Sequence, residues 1–190
     1  MPERYHAFIS YTTREHEVRQ VKPIVDEFLN RYLKPLIRGV LGELPVFYDG
    51  WSLDPPSNRS FDESTLKYRL AEAIRDSEMM LAFVSPSYLS SRWCHFELAT
   101  MAPREREPVP APIVPIFWKG DHELFSQSAH LCDRIGHDLR CCVPWRTEKD
   151  TWRIEENDRC REAMRRTAEA IVSILRKRRE AYRRLAESLP

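Results

Sequence analysis

Trp93 and Glu97 stand four residues apart in Ser85-Pro-Ser-Tyr-Leu-Ser-Ser-Arg-Trp-Cys-His-Phe-Glu-Leu98. On a helix that spacing puts an indole plane and a carboxylate on one face. The pairing suits a flat base or a ribose held beside a negative charge. An N-ribosyl bond breaks through an oxocarbenium-like cation, which a nearby carboxylate stabilises while it hydrogen-bonds the ribose hydroxyls. The same spacing equally serves a core tryptophan and a solvated glutamate, so the position of the pair in the fold has to decide between them.

The elements around the pair are legible from periodicity. Tyr5-His-Ala-Phe-Ile-Ser-Tyr11 reads as a strand, followed by an amphipathic helix from Glu15 to Leu36 with Pro23 as a local irregularity. Leu44 to Tyr48 is a second strand, closed by Asp49-Gly50 and a loop to Ser60. Ser60 is placed to cap the next helix, with Glu63 in the capping-box position. Met79 to Val84 is apolar throughout, as expected of a central parallel strand covered on both faces. A helix over Trp93 to Met101 starts near Ser90 or Ser91, Ile113 to Trp118 forms strand four, and Leu139 to Trp145 a short edge strand. A short helix is expected around 122–135, and a last helix runs from about Glu155 to Glu187. Alternating strands and helices predict an α/β fold, an open doubly wound five-stranded parallel sheet of flavodoxin-like order 2-1-3-4-5 with helices on both faces. Ligands in such sheets sit at the carboxyl ends of the strands where winding reverses, here the loops Ser10 to Arg14 and Ser85 to Glu97.

Several chemistries fail at that crevice. The loop after strand one has no glycine, so neither a dinucleotide-binding turn nor a phosphate-cradling P-loop can form. A response regulator needs acidic residues where this chain has hydroxyls and Val84-Ser85. A flavin phosphate loop needs glycine for close backbone approach. His130, Cys132, His137, Cys141 and Cys142 match no zinc-finger spacing, so no metal site is expected.

The 190 residues are 42% hydrophobic and 31% charged with a net charge of +1, which sets aside disordered and fibrous readings. Residues 151–190 carry 11 basic against 7 acidic side chains, and 1–150 carry 19 against 22. The basic run Arg176 to Arg179 with Arg183-Arg184 reads as the wet face of a docked helix, with no nucleic acid as partner. No stretch is long and apolar enough to span a membrane and no secretory signal is legible, so the expected location is cytoplasmic. Five cysteines without C-x-x-C spacing argue for reduced thiols.

Tyr5 to Tyr11 resembles box 1 of the TIR (Toll/interleukin-1 receptor) domain, and Ser85 to Leu98 resembles its S-P-x-Y-x-x-S-x-W-C-x-x-E-L segment. Val46 to Asp49 and Leu70 to Ser77 sit in the family's order between them. The resemblance covers about residues 4 to 118 firmly and implies a TIR domain over 1–150, with 151–190 a C-terminal amphipathic helix docked on or extending it. It further implies that NAD+ is a substrate rather than a cofactor. Its nicotinamide ribosyl bond would be cleaved, with Glu97 catalytic and Trp93 one turn earlier. Ser10, Tyr11, Thr12 and Asp49 would line the substrate. Asp49 to Ser60 corresponds to the BB loop, where Asn58-Arg59-Ser60 replaces the usual glycine.

The activity so implied is that of an NAD+ nucleosidase or ADP-ribosyl cyclase. It resembles that of stand-alone bacterial TIR proteins of Thoeris-type antiphage systems, whose product activates a separate effector. A non-catalytic TIR adaptor acting by TIR-TIR self-association is the second reading, and a nucleoside deoxyribosyltransferase-like enzyme the third.

Overall fold

The computed structural model describes residues 4–13, 15–43, 45–48, 62–120, 131, 134, 136–142 and 157–188. Five strands form one parallel sheet in the order β2-β1-β3-β4-β5. They are β1 (Ala7–Tyr11), β2 (Val46–Tyr48), β3 (Met80–Val84), β4 (Ile113–Phe117) and β5 (His137–Asp138). The sheet order is the flavodoxin-like one that the sequence predicts. β1 and β3 are buried over their whole length, which is why their sequences are apolar runs rather than alternations.

Alternation governs which face each side chain meets. Ala7, Ile9 and Tyr11 join a core with Leu81 and Phe83, whereas Phe8 joins Met80, Ala82 and Val84 in a second core across the sheet. The first core is roofed by α1 (Glu15–Glu27), a π-helical stretch Phe28–Leu33, α2 (Lys34–Leu41) and the last helix, α6 (Asp158–Ser188). The second is roofed by α3 (Glu63–Arg75) and α5 (Arg92–Met101). Between β3 and α5 lies a single turn, α4 (Pro86–Leu89).

Pro115 sits inside β4 without breaking the ladder. The Trp118 amide donates to Val84 O and Phe117 O accepts from Leu139 N, so backbone groups of odd-numbered β4 residues point toward β5. Among the described residues the pairing with β5 begins at Ile116, so the missing amide of Pro115 interrupts no ladder bond there.

Five expectations are corrected. The edge strand is His137–Asp138 and does not start at Leu139, because Arg140–Cys142 turns as a 3-10 helix once Leu139 has made its ladder bond; Val143 to Trp145 lie outside the described residues. The cap of α3 is Asp62, whose carboxylate accepts from the Thr65 amide at 2.7 Å; Ser60 lies outside the described residues. The first helix passes through a π turn, with Phe28 and Leu33, five residues apart, both buried. The thiols are not all reduced, since Cys142 and Cys160 form a disulfide. The 3-10 turn and the first turn of α6 bring their Cα atoms to 5.1 Å, within bonding range, and spacing along the chain carries no trace of that approach. Cys94 and Cys141 take no part in a disulfide, and Cys132 lies outside the described residues.

The fifth correction concerns the basic run. Arg178 is buried and donates to Pro110 O at 2.9 Å, and Arg179 turns inward to a buried cluster. There Arg179 donates to Leu41 O at 2.8 Å and to Glu78 Oε1 at 2.6 Å, and His6 Nδ1 lies 3.1 Å from the same carboxylate oxygen. His6 Nε2 donates to Gly42 O, just past α2, where the backbone turns with φ 84°. Burial alone would raise the Glu78 carboxyl, but hydrogen bonds from His6 and Arg179 outweigh it and hold it below its ordinary value. The expected helix around 122–135 falls mostly outside the described residues.

Candidate functional site

The period of β1 decides how the site is built. Ser10, one residue before the strand's end, points to the α5 side of the sheet, opposite its neighbours Ile9 and Tyr11. α5 begins at Ser91, whose hydroxyl accepts from the Cys94 amide at 3.3 Å, and this cap sets the angle at which the helix leaves the crevice. One turn on, Trp93 and Glu97 face the same space, and Glu97 reaches back over the sheet to accept a hydrogen bond from Ser10 Oγ.

Glu97 is only 5% exposed, so it is not the solvated helix residue that the helical spacing alone also permits. Ser10 is 1% exposed and bonds a second hydroxyl, that of Tyr88 on α4, at 2.8 Å. Burial, with the nearby Cys94 and Glu97, holds the Tyr88 phenol well above the usual tyrosine range, so it stays protonated at any physiological pH. α4 is itself fixed by a cap, the Ser85 hydroxyl accepting from Tyr88 N at 3.1 Å, with Pro86 at the first helical position.

A cavity of about 90 Å³ opens above this network, lined by Tyr11, Thr13, Leu66, Leu70, Ser91, Trp93, Cys94 and Glu97. The Trp93 ring is half-buried, edge-on to Phe96 with centroids 6.4 Å apart, and Lys67 Nζ lies 5.9 Å above it. The floor is thus a carboxylate, one wall an indole, and the rest hydroxyl and aliphatic. That is the composition a ribose and a flat ring would meet.

Of the residues singled out in the sequence, Tyr11, Trp93 and Glu97 meet at the cavity and Ser10 lies directly beneath it. Thr12 is buried and does not line the cavity, whereas Thr13 does. Asp49 lies outside the described residues, as does the loop to Ser60. Sequence reasoning passed over Tyr88, although the tyrosine of the S-P-x-Y segment was the available signal. Among the described residues no group of His, Cys, Asp and Glu side chains is placed to hold a metal ion.

The family profile described as TIR domain matches residues 8–140. The chain belongs to the TIR domain family. Among solved structures, a metazoan TIR-STING receptor from C. gigas in complex with 2',3'-cGAMP superposes with a TM-score of 0.53 at 18% identity. The match covers 92% of this chain and 40% of that one, so the chain spans less than half of the receptor's length and the likeness is one of fold. The TIR domains of the activated Roq1 resistosome directly recognizing the pathogen effector XopQ give 0.43 at 22% identity, over 90% of this chain and 84% of that one. No curated protein matches the sequence. In this TIR domain no helix among the described residues is long and apolar enough to cross a membrane.

Proposed function

We propose that this TIR domain is an NAD+-consuming enzyme that cleaves the nicotinamide ribosyl bond, with Glu97 as the catalytic carboxylate. The observation that carries the reading is the 5%-exposed Glu97 on the floor of a cavity walled by Trp93, at the crevice where the winding of the sheet reverses. In NAD+ the bond from the ribose anomeric carbon to the pyridinium nitrogen breaks with its electron pair leaving on neutral nicotinamide. The positive charge then sits on the ribose, where the Glu97 carboxylate stabilises it. Attack by water gives ADP-ribose, and attack by a nucleophile of the same molecule gives a cyclic isomer. Trp93 flanks the ring in this reading, the end of β1 at Tyr11 borders the ribose, and Asp49 is a further substrate residue of the same proposal. The reaction belongs in the cytoplasm, as a signal in bacterial antiphage defence read by a separate effector.

The second reading is a non-catalytic adaptor acting by TIR-TIR self-association. One observation favours it: a cavity of about 90 Å³ is well below the roughly 300–1,000 Å³ of small-molecule sites. The experiment that separates the two incubates the purified chain with NAD+ over a range of protein concentrations. It follows nicotinamide release and resolves the adenine product by chromatography with mass detection. Release by wild type that is lost in Glu97→Gln supports the enzyme, and specific activity rising with concentration joins catalysis to self-association. Absence of release at every concentration, with association intact, supports the adaptor.

A further inference from the structure

Ser10 has one hydroxyl proton and two neighbours that compete for it, the Tyr88 phenol and the Glu97 carboxylate. Tyr88 is completely buried, and among the described residues Ser10 Oγ is the only partner of its hydroxyl. A buried O–H that does not donate forfeits a hydrogen bond it cannot replace from water. The phenol therefore gives its proton to Ser10 Oγ. With that lone pair occupied, Ser10 has its own proton to give, and Glu97 Oε2 receives it. The chain runs one way, from Tyr88 through Ser10 to Glu97, and it ends on an acceptor. Were Glu97 protonated on Oε2 and donating, Ser10 Oγ would accept from both neighbours and its own buried proton would have no acceptor among these three groups.

We propose that Tyr88, acting through Ser10, is a positioning residue that favours the ionised form of Glu97 by aiming the Ser10 hydroxyl proton at its carboxylate. The inference rests on Glu97 being the reacting carboxylate of the reading above, and it adds the device that holds that group ready. Of the other titratable groups at the cavity, Cys94 is on Glu97's own helix, while Tyr11 borders the cavity from the end of β1 with its ring in the core on the opposite face of the sheet. α3 brings Leu66 and Leu70 to the cavity and Lys67 above the Trp93 ring.

The test reads Glu97 itself. Protein labelled with carboxyl-13C glutamate is titrated by NMR, with the Glu97 resonance assigned by its loss in Glu97→Gln, in wild type, Tyr88→Phe and Ser10→Ala. Removing the phenolic hydroxyl moves the Glu97 midpoint to higher pH by about half a unit to one unit, roughly 3- to 10-fold in proton affinity. Ser10→Ala moves it in the same direction, and Tyr88→Phe adds nothing further in the Ser10→Ala background, because both act through one route. Replacing tyrosine by 3-fluorotyrosine keeps the shape, strengthens the donor and moves the midpoint down, which covers a poorly folding Tyr88→Phe. In turnover, the acid limb of kcat/KM follows the same shifts.

An unchanged midpoint in folded Tyr88→Phe overturns the proposal, as does a Tyr88→Phe shift that survives in Ser10→Ala. The titration needs no turnover, so a chain that releases no nicotinamide sinks the enzymatic reading while the relay is still judged. Conversely, release abolished in Glu97→Gln but indifferent to Tyr88 sinks the relay alone.

Discussion

A carboxylate that is 5% exposed and hydrogen-bonded is a different object from one on a helix surface, and its substitutions differ accordingly. Glu97→Gln keeps the volume and an oxygen that accepts from Ser10, so the folded state should persist with a thermal midpoint close to wild type. Nicotinamide release should fall by roughly 100-fold or more, the scale on which a single charge-stabilising group acts. Glu97→Ala leaves Ser10 Oγ without its acceptor and should unfold at distinctly lower temperature, which calorimetry of the two variants side by side would show. Full activity in well-folded Glu97→Gln would remove Glu97 from the reaction. The pair Trp93 and Glu97 was legible because both lie on one helix, where spacing determines facing. The bond from Ser10 to Glu97 crosses 87 residues, and no local pattern encodes it. The S-P-x-Y segment marked Tyr88 but not its role, because its partner Ser10 lies 78 residues away.

Among the elements, those with a strong period were legible and those set by a single bond were not. The apolar runs of β1 and β3 and the stripe of α6, with Met164, Ala168, Ile171 and Leu175 all buried, left little choice of structure. The π turn at Phe28–Leu33 has no signature in a stretch whose apolar spacing also suits an ordinary helix. α4 could have been read from Ser85-Pro86, a cap followed by proline at the first helical position. Two outcomes belong at this scale. Ser91→Ala, which removes the cap of the helix bearing Trp93 and Glu97, should cost about 1 kcal/mol in urea unfolding. Ile171→Ala should cost about 3 kcal/mol in a single cooperative transition if α6 is part of the same folding unit as the sheet. A second transition at lower denaturant would instead show that α6 unfolds by itself.

The whole molecule has its candidate site at the carboxyl ends of β1 and β3, and its buried ionic cluster at their amino ends, where His6, Glu78 and Arg179 join the sheet to α6. Because Glu78 is held below its ordinary value, the stability it contributes is fully present above the unfolded carboxyl's value, about pH 4.3. It is lost as pH falls through the lower folded value. Wild type should therefore lose more stability than Glu78→Gln as pH falls from about 5 toward 3. Urea midpoints across that range check it, and parallel losses would refute the assignment. The sheet order was legible at this scale because alternating elements admit few topologies, whereas the cluster was not, since it gathers residues from four separate parts of the chain. The Cys142–Cys160 bond, 18 residues apart, has its own consequence for how the chain comes apart. A protease that cuts anywhere between those two cysteines, for instance after Arg146, Lys149 or Arg153, severs the backbone without releasing a fragment. Such a nicked chain would migrate as one band on a denaturing gel until a reductant is added, and then as two.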